Sequence, residues 1–290
     1  VLALRPTQRL LTYLWTGIVV AISGMVTVVL YRLTQPETDL QGLLTLSAAA
    51  GLYGLASAGL SVVMQYFTAQ AVRRTTPLQL IELSRPDHPL LQLILRSAPG
   101  TYQHSLQVAN LAEQAAERIG ADGLLVRVGA LYHDAGKALD PYYFIENQVP
   151  GNLNPHNDLD PAVSAGTIIQ HVPNGLKLAQ QYHLPRRVQD FIAEHHGTML
   201  TFYQYTQALQ AAGGDKSAIE EAAFHYPGPR PQSRETALLM LADGCEARVR
   251  AERPKDELTL EIIIREVIDN RIKTGQLDLT NLSLRDLSNV

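Results

Sequence analysis

The sequence predicts an all-α protein, a helical bundle preceded by a two-helix transmembrane hairpin. Three observations carry this. Two long uncharged runs fill most of the first seventy residues. Between residues 101 and 250 apolar positions recur at helical spacing, bounded by helix-start and helix-stop residues. Neither an alternating strand pattern nor a G-x-G-x-x-G loop is evident.

The first run extends from Leu10 to Tyr31 without a charge. A helix of that length covers roughly 30 Å, the hydrocarbon thickness of a bilayer. The polar stretch RLTQPETD follows, with Pro36 as a breaker, and a second uncharged run continues from Leu40 to Val72. Gly42, Gly51, Gly54 and Gly59 punctuate it and suit close helix packing. Arg5 and Arg9 precede the first run, and Arg73 and Arg74 follow the second. The loop sets a single Arg against Glu37 and Asp39, so both ends are expected in the cytoplasm, with the hairpin in the plasma membrane. The expected layout is a hairpin over residues 1–74, with spans at about 10–31 and 42–66. A proline-broken linker over 75–100 and a cytoplasmic domain over 101–290 complete it. The chain begins with Val1, and a larger membrane protein around it is expected.

In the soluble part the patterns predict helices over 101–119, 123–134, 161–171, 174–182, 185–197 and 234–250. Gly120 stops the first, and Asp160-Pro161 caps the third. Net charge is −4, which argues against a protein that coats a nucleic-acid polymer. An anionic substrate must therefore be drawn in locally, by metal ions or a few cations. The single cysteine, Cys245, forms neither an internal disulfide nor a thiolate metal cage, and reads as a core residue.

The chemistry centres on His133-Asp134, in LYHDAGK, at the end of an apolar run. A buried His-Asp pair is costly unless neutralised, and a divalent ion does this, with the carboxylate able to bridge two ions. His104, His171, His195, His196 and Asp243 sit in comparable helical contexts. Together they exceed what one ion needs and suit two divalent metal ions, Mn or Fe, in a site free of thiolate. Each alone has an ordinary alternative: a core histidine with a satisfied hydrogen bond, or for Asp243 a buried ion pair. His88, His156, His183 and His225 lie in polar or proline-rich turns and are not expected as ligands.

The order H…HD…H…HH…D, with HDAGK at its centre, resembles the HD-domain phosphohydrolase superfamily. More narrowly, it resembles the bacterial seven-transmembrane HD-domain phosphodiesterases. The matching stretches are GTYQHSLQVANLAEQAAERIGAD, VGALYHDAGK, NPHNDLDPAVSAGTIIQHV, EHHGT and YPGPRPQSRETALLMLADGCEARVR, with GQLDLTNLSLRDL near the end. The resemblance implies an HD-domain helical bundle and a two-metal phosphodiesterase that opens cyclic di-AMP to the linear dinucleotide pApA. The metal ligands it implies are His104, His133, Asp134, His171, His195, His196 and Asp243, with Asp134 bridging. It also implies that Asp134 and Lys137 are catalytic, Lys137 binding the substrate phosphate. Ala135 stands where the family usually has isoleucine, a packing change that removes no ligand. The family's earlier spans and extracellular domain, and a further helix at its end, are absent from the sequence.

Other substrates of the superfamily, cyclic di-GMP or an alarmone, are the first alternative. HHGTMLTFYQY lacks the Gly-Tyr-Pro that cyclic di-GMP enzymes carry there. A catalytically silent membrane nucleotide sensor is the second, and a membrane-anchored scaffold the third. The expected partners are a cyclic dinucleotide and the bilayer, with a homo-oligomer left open.

Overall fold

The computed structural model describes residues 6–35, 39–71, 75–149, 151 and 153–289. The chain divides into two compact units, Val1–Pro77 and Leu78–Val290.

The first unit is a pair of helices, α1 (Pro6–Leu33) and α2 (Leu40–Ala71). Their segments Trp15–Leu33 and Leu40–Ser61 have mean hydropathies of 1.8 and 1.5 and are almost unburied, so both are long and apolar enough to cross a membrane. Small residues let the two backbones meet. A Cβ at Gly17 would lie 2.4 Å from that of Ala58, and one at Gly54 would lie 2.5 Å from Ala21. Asp39 starts α2 by accepting from the backbone N–H groups of Gln41 and Gly42. Arg5, the Arg9 side chain, Pro36, Glu37, Val72, Arg73 and Arg74 lie outside the described residues.

The second unit is all-helical among the described residues, apart from one isolated bridge between Leu200 and His225. The stretch expected as a linker contains α3 (Pro77–Leu83) and α4 (Pro89–Ser97), and Leu80, Leu83, Leu90, Leu91 and Ile94 join the core. His88 caps α4, its ring accepting from the Leu90 N–H. The Tyr132 hydroxyl, fully buried, donates to the Leu83 carbonyl at 2.7 Å and ties this segment down.

The centre of the unit is α5 (Pro99–Arg118), α6 (Gly123–Tyr132), α9 (Arg186–Glu194) and α11 (Arg234–Glu252). Their apolar faces meet through Val108, Ala112, Val126, Val128, Phe191, Ile192, Leu238 and Leu239. Burying each of the larger side chains stabilises the fold by about 1.5–3 kcal/mol. Around this centre lie α7 (Pro161–Ile169), α8 (His171–Gln181), α10 (Phe202–Ala211), α12 (Glu257–Lys273) and α13 (Leu284–Asn289). Of these, α10, α12 and α13 were not expected from the sequence.

One expected helix breaks early. Residues 161–171 do not form a single helix, because α7 stops at Ile169 and His171 opens α8. Pro173 explains this. It has no N–H to continue the α7 ladder, but it fits the first turn of a new helix, where that donor is unpaired anyway. His171 thus starts a helix rather than ending one. His104 falls in the second turn of α5, since that helix begins at Pro99.

Candidate metal centre

Three helix ends build most of the site. His133 follows α6, His195 follows α9, and His171 follows α7 as it opens α8. In each case the ring Nδ1 donates to a carbonyl three residues back: Ala130 at 2.7 Å, Ile168 at 2.6 Å and Ile192 at 2.9 Å. The last carbonyls of a helix lack partners within it, and the rings satisfy them. A carbonyl only accepts, so this fixes the proton on Nδ1. In the neutral ring the Nε2 lone pair then points into the site.

Glycines bring these ends together. A Cβ on Gly129 would meet the Phe191 ring at 2.3 Å, so α6 and α9 pack at close range. A Cβ on Gly136 would lie 1.9 Å from the His171 carbonyl oxygen, so the turn holding Asp134 rests directly on the start of α8.

The seven expected residues converge in two groups. His104, His133 and Asp134 bring one ligand atom each within 4.8 Å of one another, as do His171, His195 and His196. Asp134, 2% exposed, lies between them. Its Oδ2 is 3.3 Å from His133 Nε2 and 3.6 Å from His104 Nε2, while its Oδ1 is 3.4 Å from His171 Nε2 and 3.6 Å from His195 Nε2. Asp243, from α11, stands beside the first group, 3.0 Å from His104 Nε2 and 3.8 Å from His133 Nε2. Lys137 places Nζ 2.7 Å from Asp134 Oδ2.

The donor set fits divalent ions. His133 Nε2, Asp134 Oδ1 and His196 Nδ1 are buried without a hydrogen-bond partner. His171 Nε2 and His195 Nε2 face each other at 3.1 Å while both Nδ1 atoms donate to carbonyls, so the two rings either oppose their lone pairs or must hold an extra proton between them. Cations remove both penalties, and imidazole with carboxylate suits Mn, Fe or Zn.

The two groups differ in charge. Burial opposes protonation of His104, but hydrogen bonds to Asp243 and Glu246 raise it to about 9. Burial likewise opposes the charge on His133, and the adjacent Asp134 carries it to about 10. In the second group burial lowers His171 to about 3 and holds His196 well below its ordinary value. Asp134 and Asp243 stay far below the usual carboxylate range despite burial. Lys137 and His133 stabilise the first anion, and His104 and His133 the second. Lys137 is raised by Asp134 and Glu146 against its own desolvation.

Sequence reasoning missed two carboxylates. Glu246 accepts from His104 Nδ1 at 2.6 Å, orienting that ring. It lies three residues after Asp243 on α11, and that spacing was the available signal. Glu146 sits in a short 3₁₀ turn, Ile145–Asn147, and accepts from Lys137 Nζ at 2.9 Å; no periodicity marks it. The Tyr226 ring also stacks on His196, with centroids 4.2 Å apart. His156 is buried, with Nδ1 and Nε2 both bonded, to Ser164 Oγ and the Tyr143 carbonyl. Cys245 is only partly buried.

The model of the HD domain family matches residues 101–248, the stretch that supplies all seven residues. The chain belongs to the HD domain family. Its HD domain and the preceding helices are similar to the cyclic-di-AMP phosphodiesterase PgpH of Bacillus subtilis, 41% identical over 96% of this chain. They are also similar to PgpH of Listeria monocytogenes, 37% identical over 99%. The chain spans about two fifths of the length of these relatives, 38% and 39%. A crystal structure of the L. monocytogenes PgpH HD domain in complex with cyclic-di-AMP matches at a TM-score of 0.67 and 40% identity, over 71% of this chain and 94% of that one.

Proposed function

We propose that this chain is a metal-dependent phosphodiesterase that hydrolyses cyclic di-AMP to the linear dinucleotide pApA. The carrying observation is Asp134, whose two oxygens face two separate histidine groups. The kinship with proteins named for this activity, one of them with cyclic-di-AMP bound to its HD domain, supports the substrate.

In this reading His104, His133, Asp134 and Asp243 would hold one divalent ion, and His171, His195 and His196, together with Asp134, would hold the second. Mn or Fe suits these ligands. When bound, such ions polarise a phosphoryl oxygen and lower the pKa of water toward neutral. The chain's own residues do the rest. Carbonyls of Ala130, Ile168 and Ile192 hold three rings in one tautomer, so their Nε2 atoms need no reorganisation. Asp134 and Glu146 engage two of the three N–H donors of Lys137, which leaves the third for a non-bridging phosphoryl oxygen. The Tyr226 ring holds His196 in orientation.

The two apolar helices cross the plasma membrane in this account, with the HD domain in the cytoplasm. Their length, hydropathy and near-total exposure support the reading.

The test is hydrolysis by the purified full chain in detergent with Mn²⁺, cyclic di-AMP and cyclic di-GMP being offered in parallel. Selective release of pApA is the expected result. Cleavage of cyclic di-GMP alone would overturn the substrate. Tight binding of cyclic di-AMP without cleavage, in the metal-loaded protein, would make the chain a nucleotide sensor.

A further inference from the structure

We infer that Glu146 is a positioning residue for Lys137, an anion that holds the ammonium at the edge of the site and aims its remaining donor at the substrate phosphate. This rests on the hydrolase reading above and adds a residue to it.

Lys137 lies 2.7 Å from Asp134, whose charge is shared with cations once the site is loaded. An ammonium beside divalent ions is repelled by them and needs an anion of its own on another side. Glu146 supplies it. Its Oε1 accepts from Lys137 Nζ at 2.9 Å, and its side chain is 9% exposed.

The surroundings lock Glu146 in place. The Thr101 hydroxyl donates to the same Oε1 at 3.1 Å. Asn147 closes a two-way clasp on Thr101: its Nδ2 donates to Thr101 Oγ1 at 2.8 Å and its Oδ1 accepts from the Thr101 N–H at 3.1 Å. A Cβ on Gly100 would come within 1.9 Å of the Glu146 carbonyl oxygen. The turn 145–147 is therefore seated directly on the first turn of α5, the helix that carries His104. Phe144 stands on another side of the ammonium, its ring centroid 5.1 Å from Nζ. Lys137 is thus fixed between an anion of the centre and an anion referenced to the helix of His104. A loop without this clasp would leave a flexible four-carbon side chain to sample other rotamers.

The experiment is a double-mutant cycle on the Mn²⁺-loaded full chain: Glu146→Gln, Lys137→Met and the pair. Glutamine keeps the size and the acceptor oxygen but removes the charge. Glu146→Gln should lower kcat/KM about tenfold, mostly in kcat, with Mn²⁺ content and melting temperature close to wild type. Thr101→Val, which removes one anchor of the carboxylate, should cost about threefold. The pair should be no slower than Lys137→Met alone, because a residue acting only through Lys137 has nothing left to position. Losses that multiply in the pair, or wild-type kinetics in Glu146→Gln, would overturn the inference. The cycle is repeated on bis-p-nitrophenyl phosphate, a phosphodiester without bases. A wrong dinucleotide would then show as inactivity on cyclic di-AMP only, and the result for Glu146 would still be read.

Discussion

Loading the site with metal should release protons from His104 and His133. His104 sits between two carboxylates, 2.6 Å from Glu246 and 3.0 Å from Asp243, and only an imidazolium donates to both. Its pKa of about 9, and that of His133 at about 10, leave both rings protonated near neutral pH. His171 at about 3, and His196 well below its ordinary value, are neutral there. A metal takes an imidazole only after the proton leaves. Filling both positions at about pH 7.5 should therefore expel about two protons per chain from the first group, with none from His171 or His196. The affinity of that group should rise up to about a hundredfold per pH unit below pH 9, and that of the second group, where His171 and His196 have no proton to lose, should change less steeply. Calorimetric titration of the metal-free chain with Mn²⁺, in buffers of different ionisation enthalpy, reads the proton count directly. A slope near zero would refute the charge assignment, and a pH dependence shared by both binding steps would refute the division into two groups.

Three further outcomes follow. Glu246→Gln weakens the orienting bond to His104 and should reduce metal affinity by about 10–100-fold, measured by chelator competition, with little change in fold. Gly136→Ala drives a methyl group into the His171 carbonyl and should destabilise the domain by about 3 kcal/mol, read as a lower melting temperature. The metal-free chain should be most stable near its unfolded histidine pKa of 6.5. Above it, the stabilisation from His104 and His133 is lost as pH rises through about 9 and 10. Below it, the unfolded chain protonates His171 and His196 while the folded one resists, so stability falls with pH. Melting curves across that range check both slopes.

The apolar hairpin and the central helices were legible because their signals are local. An uncharged run longer than a bilayer, or a cap and proline before a helix, needs no tertiary context. The proposed ligand residues stood out because histidine and aspartate at the ends of apolar helices are costly unless they have a task, and because their order matched a family pattern. What stayed hidden depends on packing. Glu146 and Glu246 look like surface acids until the fold sets them against Lys137 and His104. Gly136 reads as a loop residue until the His171 carbonyl is placed against it. The segment 75–100 read as a linker because its prolines break it, but Pro77 and Pro89 occupy the first positions of α3 and α4, where they start helices rather than stop them. Residues 202–211 and 257–273 expose much of their apolar surface, with Phe202 and Leu258 at 73% and 68%, so their burial pattern was too weak to mark them as helices.

The central claim is a centre for two ions around Asp134. Metal analysis of the full chain, reconstituted with Mn²⁺ and desalted, tests it most directly. The account predicts about two ions per chain, falling to about one in His196→Ala with the fold retained. A wild-type chain that holds one ion or none, or a His196→Ala chain that still holds two, would contradict it.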